Sequence, residues 1–145
     1  MEIKQLTQKD SAATHEIMKK SFSTSWTRET IDALIKSGNA VCLGAFEGDV
    51  LMGYAFLEWV LDEGSLTDIA VQEDFRRKGI SQKLMDSLLK SAVEKNLVFV
   101  TLEVRASNIP AISLYEKNGF MQIGKRKAYY TAPVEDALLM TKEFK

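Results

Sequence analysis

Cysteine, histidine and proline are nearly missing from this chain of 145 residues, which has one cysteine, one histidine and two prolines. A lone thiol, Cys42, cannot close an internal disulfide. Cys42 and His15 by themselves cannot make a four-ligand metal site, so a metal-free protein is expected. Two prolines leave no proline-rich linker, and neither an internal repeat nor a low-complexity segment is present. A single domain over residues 1–145 is therefore expected, as a monomer, burying roughly two thirds of its unfolded surface. No apolar run approaches the ~18–20 residues of a membrane span, and no signal-peptide pattern opens the chain. The expectation is a cytoplasmic protein without membrane contact. A dominant charge is missing too: a formal net charge of −1 gives no global field toward nucleic acid or anionic lipid.

What is present alternates between strand and helix patterns. Residues 2–6, EIKQL, suit a short strand. Thr7 and Asp10 have capping-box spacing, and Ala13, Ile17 and Met18 mark a helix to about Ser21. Thr27 suits the next N-cap, with Ile31, Leu34 and Ile35 on one face and Gly38 as a stop. Two apolar runs over 40–60 flank Gly48-Asp49 and predict a hairpin. Residues 65–71 predict a strand, Ile80, Leu84, Leu88 and Val93 a helix to about Lys95, and 98–104 another strand. A short helix from about Pro110 to Lys117 follows, then strands near 120–130 and 136–144. The order is strand, two helices, three strands, helix, strand, helix, two strands: a mixed α/β layer fold. Between Ser65 and Val104, strand, helix and strand have the length of a right-handed parallel crossover.

Two segments carry candidate chemistry. In VQEDFRRKGISQKLMDSLL, residues 71–89, a loop with Arg76, Arg77, Lys78 and Gly79 runs directly into a helix at Ile80, Ser81 and Gln82. Unpaired N–H groups and partial positive charge at a helix N-terminus suit a phosphate or pyrophosphate, and glycine admits it close to the backbone. Neither G-x-G-x-x-G nor a P-loop ending is present. On charge alone the cations also read as a solvated run. In VTLEVRASNIPAISLYEKNGF, residues 100–120, Glu103 lies on the strand face opposite Val100, Leu102 and Val104. Asn108 suits an N-cap, and Tyr115 follows about two helical turns later. Taken alone, Glu103 reads as a surface residue and Tyr115 equally as a packing residue.

RRKGIS after DIAVQEDF resembles the acetyl-CoA-binding turn of the GNAT superfamily of N-acyltransferases, Gln/Arg-x-x-Gly-x-Gly/Ala. Arg76 takes the first position and Gly79 the first glycine, while Ser81 departs from the usual glycine or alanine. With LEVRASNIPAISLYEKNGF and KRKAYYTAPVEDALLM, the likeness over about Leu66 to Met140 is to RimI-type ribosomal-protein-alanine N-acetyltransferases. SFSTSW at 21–26 matches more loosely, Ser25 standing where that branch commonly has proline.

The resemblance implies a GNAT fold with splayed fourth and fifth strands, and acetyl-CoA as cosubstrate. Its binding residues would be Ile69, Ala70, Val71, Arg76, Arg77, Lys78, Gly79, Ile80, Ser81, Gln82, Asn108 and Tyr115. It makes Glu103 the base for the amine and Tyr115 the acid for the departing thiolate, with an N–H of Ile69 or Val71 as oxyanion donor. Burial of the base would bring its pKa toward a useful value. Asp68, one strand over, is the alternative carboxylate. Cys42 sits in an apolar hairpin, so direct transfer in a ternary complex is expected.

For the acceptor, an α-ammonium with pKa near ~7.7–8.0 costs ~3.4 kcal/mol less to deprotonate than a lysine near ~10.4. Tyr129, Tyr130, Glu135 and Asp136 rim one loop, with Trp26 expected to face it. Aromatics and acids suit a basic peptide N-terminus, and serve equally as packing and solvation. Lys125, Arg126 and Lys127 lie nearby, toward phosphates, a ribosome or water. By resemblance the acceptor is the N-terminal alanine of a small-subunit ribosomal protein. The alternatives are a lysine or small-molecule amine acceptor, or a non-catalytic CoA- or ribosome-binding module. No direct nucleic-acid contact is expected.

Overall fold

A computed structural model describes residues 1–21 and 26–144, so Ser25 of the loosely matching segment lies outside the described residues. In chain order the elements are β1 (Glu2–Gln5), α1 (Ser11–Ser21), α2 (Arg28–Lys36), β2 (Ala40–Glu47), β3 (Val50–Val60), β4 (Glu63–Val71), α3 (Ile80–Glu94), β5 (Phe99–Arg105), α4 (Ile109–Lys117), β6 (Met121–Thr131) and β7 (Val134–Glu143). This is the order the sequence predicts. The starts of β4 and β7 fall two residues early. For β4 the reason is a tight turn at Leu61-Asp62, with Leu61 at φ +56°, which lets Val60 pair directly with Glu63.

Local chemistry sets the helix starts. The carboxylate of Asp10 accepts from the Thr7 N–H at 2.8 Å, and Thr27 Oγ1 accepts from the Thr30 N–H at 3.2 Å. Asn108 Oδ1 accepts from the Ala111 N–H at 3.3 Å at the start of α4.

The strands form one sheet in the order β1-β2-β3-β4-β5-β7-β6. Central β3 feeds both faces. Tyr54 and Phe56 join Ile17, Met18 and Ile31 of α1 and α2, while Ala55 and Leu57 join Leu84, Met85 and Leu88 of α3. Leu84 and Leu88, one turn apart and fully buried, each contribute about 1.5–3 kcal/mol of burial. No described helix is long and apolar enough to cross a membrane.

The sheet is interrupted at the only parallel junction among the described residues. β4 pairs with β5 through Glu63–Ser65 and Phe99–Thr101 alone. Beyond that, β4 stays with β3 as far as Val71, and β5 stays with β7 as far as Arg105. The two half-sheets part, as the resemblance implies. At the closed end Gly64 is needed for close approach, because a Cβ there would meet Leu97 Cδ1 at 2.7 Å.

Candidate active site

Alternation along β4 decides which backbone groups face the gap. The Gln72 N–H reaches the Met52 carbonyl at 2.8 Å, so Ala70 and Asp68, two and four residues back, also direct their amides at β3. Ile69 and Val71 therefore present N–H groups to the side from which β5 has departed. Ala70, named with them from the sequence, has its backbone turned into the sheet. The Val71 carbonyl is already taken by Arg76 Nε at 3.1 Å.

At the far end of β4 the chain enters α3 through a tight turn. Arg77 at φ +66° and Gly79 at φ +77° are both left-handed, and space beside the Gly79 Cα is open. The first helical hydrogen bond runs from the Lys83 N–H to the Gly79 carbonyl, leaving the amides of Ile80, Ser81 and Gln82 without helical partners. Arg77 and Lys78 are exposed, Lys78 lying over the Phe75 ring. The side chain of Gln82 is turned elsewhere, exchanging hydrogen bonds with the Asn118 amide at 2.7 and 3.0 Å. Only its backbone remains directed at the turn.

The other wall of the gap comes from β5 and α4. Val100, Leu102 and Val104 face α3, which puts Glu103 on the opposite face, toward α1 and α2. Glu103 is exposed, with the Arg126 guanidinium 3.9 Å away. The expected burial of this carboxylate is not found, because β5 has no neighbour on its β4 side at this level. Tyr115 is buried against Phe120, and burial raises its phenol pKa, with Asp68 and then Tyr130 adding to the effect. Its ring belongs to the core on the α3 side of the sheet. Asn108 spends its oxygen on capping α4; among the described residues its NH₂ end has no intramolecular partner.

Asp68 is the half-buried carboxylate of the pair. It stands opposite Phe56 in register, on the same face as Glu103, and accepts from the Tyr54 hydroxyl at 2.9 Å. Burial pushes it up from 3.8 to about 6, against the Tyr54 hydrogen bond and the Ile69 amide, which both favour its charged form.

The loop between β6 and β7 is organised by a residue that sequence reasoning passed over. Arg105 pairs with Glu135 at 3.3 Å, donates to the Pro133 carbonyl at 3.0 Å and lies 4.3 Å over the Tyr130 ring. Glu135 also accepts from the Ser107 N–H. The contacts with Ser107 and Arg105 hold its carboxyl below the ordinary range. Glu135 thus builds the loop rather than offering a free acid. Lys125 pairs with Asp136 at 3.4 Å, and Arg126 lies over Tyr129. Tyr129 and Tyr130 meet edge to face at 5.1 Å. Trp26 stacks on Phe56 at 5.6 Å, which places it on the β3 side of the opening. No local signal marked Arg105 or Tyr54, since their partners are 30 and 14 residues away. Cys42 is buried and its thiol is pushed up to about 12 by desolvation, which makes it a poor nucleophile.

The acetyltransferase (GNAT) family matches residues 11–120 of the chain. A Bacillus subtilis protein, provisionally named a ribosomal protein bS18-alanine N-acetyltransferase, is 35% identical over 127 residues, 87% of this chain and 84% of its own. The Escherichia coli K12 protein named as that enzyme is 32% identical over 133 residues, covering 90% of this chain and 89% of the relative. The crystal structure of the Escherichia coli ribosomal-protein-S18-alanine N-acetyltransferase superposes with a TM-score of 0.91 at 29% identity, over 99% of this chain and 94% of that one. The parted strands, the glycine turn into α3 and these likenesses agree: the chain belongs to the GNAT acetyltransferase family.

Proposed function

We propose that this acyltransferase carries the acetyl group of acetyl-CoA to the N-terminal amine of a protein beginning with alanine, ribosomal protein bS18 being the acceptor named for its relatives. The supporting observation is the gap between β4 and β5, with amides of Ile69 and Val71 on one wall and Glu103 and Tyr115 on the other. The site fits the cosubstrate: Ile80, Ser81 and Gln82 offer unpaired amides to a pyrophosphate, and Gly79 leaves room for it. An extended pantetheine arm has the Val71 amide to pair with, and that of Ile69 where it is released from the Asp68 carboxylate, as a strand pairs with a sheet edge. Acetyl-CoA supplies an activated thioester; the chain supplies the proton transfers. Glu103 receives a proton from the acceptor ammonium, and Tyr115, kept protonated by burial, gives one to the departing sulfur. Arg105 holds Tyr130 where an incoming peptide passes.

The test is mass spectrometry of peptides beginning Ala-Arg, one free and one N-blocked, incubated with the protein and acetyl-CoA. One added acetyl on the free peptide alone is expected. Modification of both peptides moves the acceptor to lysine and overturns the N-terminal reading.

A further inference from the structure

Acetylation of an ammonium removes two protons from the nitrogen and returns one to sulfur. The first must leave before the nitrogen lone pair attacks; the second leaves as the C–N bond forms and the C–S bond breaks. Glu103, exposed at the mouth of the gap, can pass a proton to water. The other face-sharing carboxylate has different surroundings. Asp68 is half-buried on β4, fixed by Tyr54, and no cation pairs with it among the described residues. From α4, Tyr115 feels its charge; Glu103 and Arg105 of β5 share its face. A carboxylate built into an amine-accepting gap, with no counter-cation among the described residues, is suited to an ammonium supplied by the substrate.

We propose that Asp68, oriented by Tyr54, is a second proton acceptor of the reaction and links the acceptor nitrogen to Tyr115. The first ammonium proton goes to Glu103 and on to water. The nitrogen then bonds to the acetyl carbon, and the sulfur leaves with the proton of Tyr115. The second nitrogen proton goes to Asp68, which returns it to the Tyr115 phenolate. The sum is an amide, a thiol and one released proton, with every protein group restored. This deepens the proposed function, and rests on its gap rather than on the identity of the acceptor.

The test compares wild type, Asp68→Asn and Tyr54→Phe in initial-rate assays across the acid range, with thermal melts in parallel. Asp68→Asn is expected to lower kcat roughly a hundredfold, with the KM for acetyl-CoA little changed. It should also remove an acid limb of the kcat/KM profile centred near 6. Tyr54→Phe keeps the carboxylate but deletes a hydrogen bond to its charged form, so that limb should move to higher pH. A folded Asp68→Asn enzyme with wild-type kcat and an unchanged profile overturns the proposal. If that variant does not fold, an unmoved limb in Tyr54→Phe overturns it equally. Should wild type acetylate only a lysine peptide, the N-terminal reading fails, and the same three proteins assayed on that peptide still judge Asp68.

Discussion

Glu103 and Asp68 face one opening, yet their surroundings give them different work. Glu103 is exposed beside Arg126, open to exchange with solvent. Glu103→Gln keeps the shape and the strand pairing but cannot accept that proton. It should lower kcat/KM for the peptide roughly a hundredfold while leaving the KM for acetyl-CoA unchanged, as steady-state kinetics would show. Full turnover in this variant would remove Glu103 from the proton path. Gly79 makes the complementary case on the cosubstrate side. At φ +77° an alanine costs about 1 kcal/mol of backbone strain, although nothing in the protein blocks its methyl. That methyl would project into the open space that the proposed function gives to a phosphate. Gly79→Ala should therefore raise the KM for acetyl-CoA by about tenfold, more than its small loss of thermal stability suggests.

At the scale of elements, the functional geometry comes from where strands stop pairing. β4, but for a bulge at Thr67, and β5 are partnered along their outer sides, and with each other for three residues. Their existence was legible in the sequence, because 65–71 and 98–104 are apolar runs at strand length around a helical stripe. The glycine turn was legible for a similar reason: Arg76-to-Ser81 is contiguous, and its chemistry is local. Burial of the carboxylates was not. Strand alternation gives the face of Glu103 but cannot say that its neighbouring strand will diverge, and Asp68 owes its burial to Tyr54 on the adjoining strand. Nor did Glu135 reveal that Arg105 and Ser107 would claim it. Arg105 joins the end of β5 to the β6–β7 loop through Glu135, Pro133 and Tyr130. Arg105→Ala should free that loop and raise the KM for the peptide about tenfold, with the KM for acetyl-CoA unaffected. Equal changes in both constants would mean that the loop braces the whole gap rather than the acceptor side.

For the whole molecule, the half-buried carboxylate couples stability to pH. Asp68 has a folded value near 6 against an ordinary 3.8, so the folded state holds its proton more tightly than the unfolded chain. Its favourable contribution is fully present below the unfolded value and is lost as pH rises through the folded one. A carboxyl held that far above its ordinary value withholds about 3 kcal/mol from the folded state at neutral pH and above. Glu16, Glu135 and Asp136 shift downward and work in the opposite sense, through hydrogen bonds from Lys19, the Ser107 amide and the Ala128 amide. Comparing wild type with Asp68→Asn isolates the one group, since the asparagine oxygen can still accept from Tyr54. The variant should be more stable by roughly 2–3 kcal/mol at pH 8, with the advantage shrinking toward pH 4 as the wild-type carboxyl takes its proton. Urea unfolding at several pH values measures this directly. A gap that stays constant with pH, or a variant less stable than wild type at pH 8, would show that Asp68 carries no burial cost. A gap that closes on acidification would mean that the protein gives up stability at its working pH to keep a carboxylate beside Tyr115, the kind of trade expected where a residue serves the reaction and not the fold.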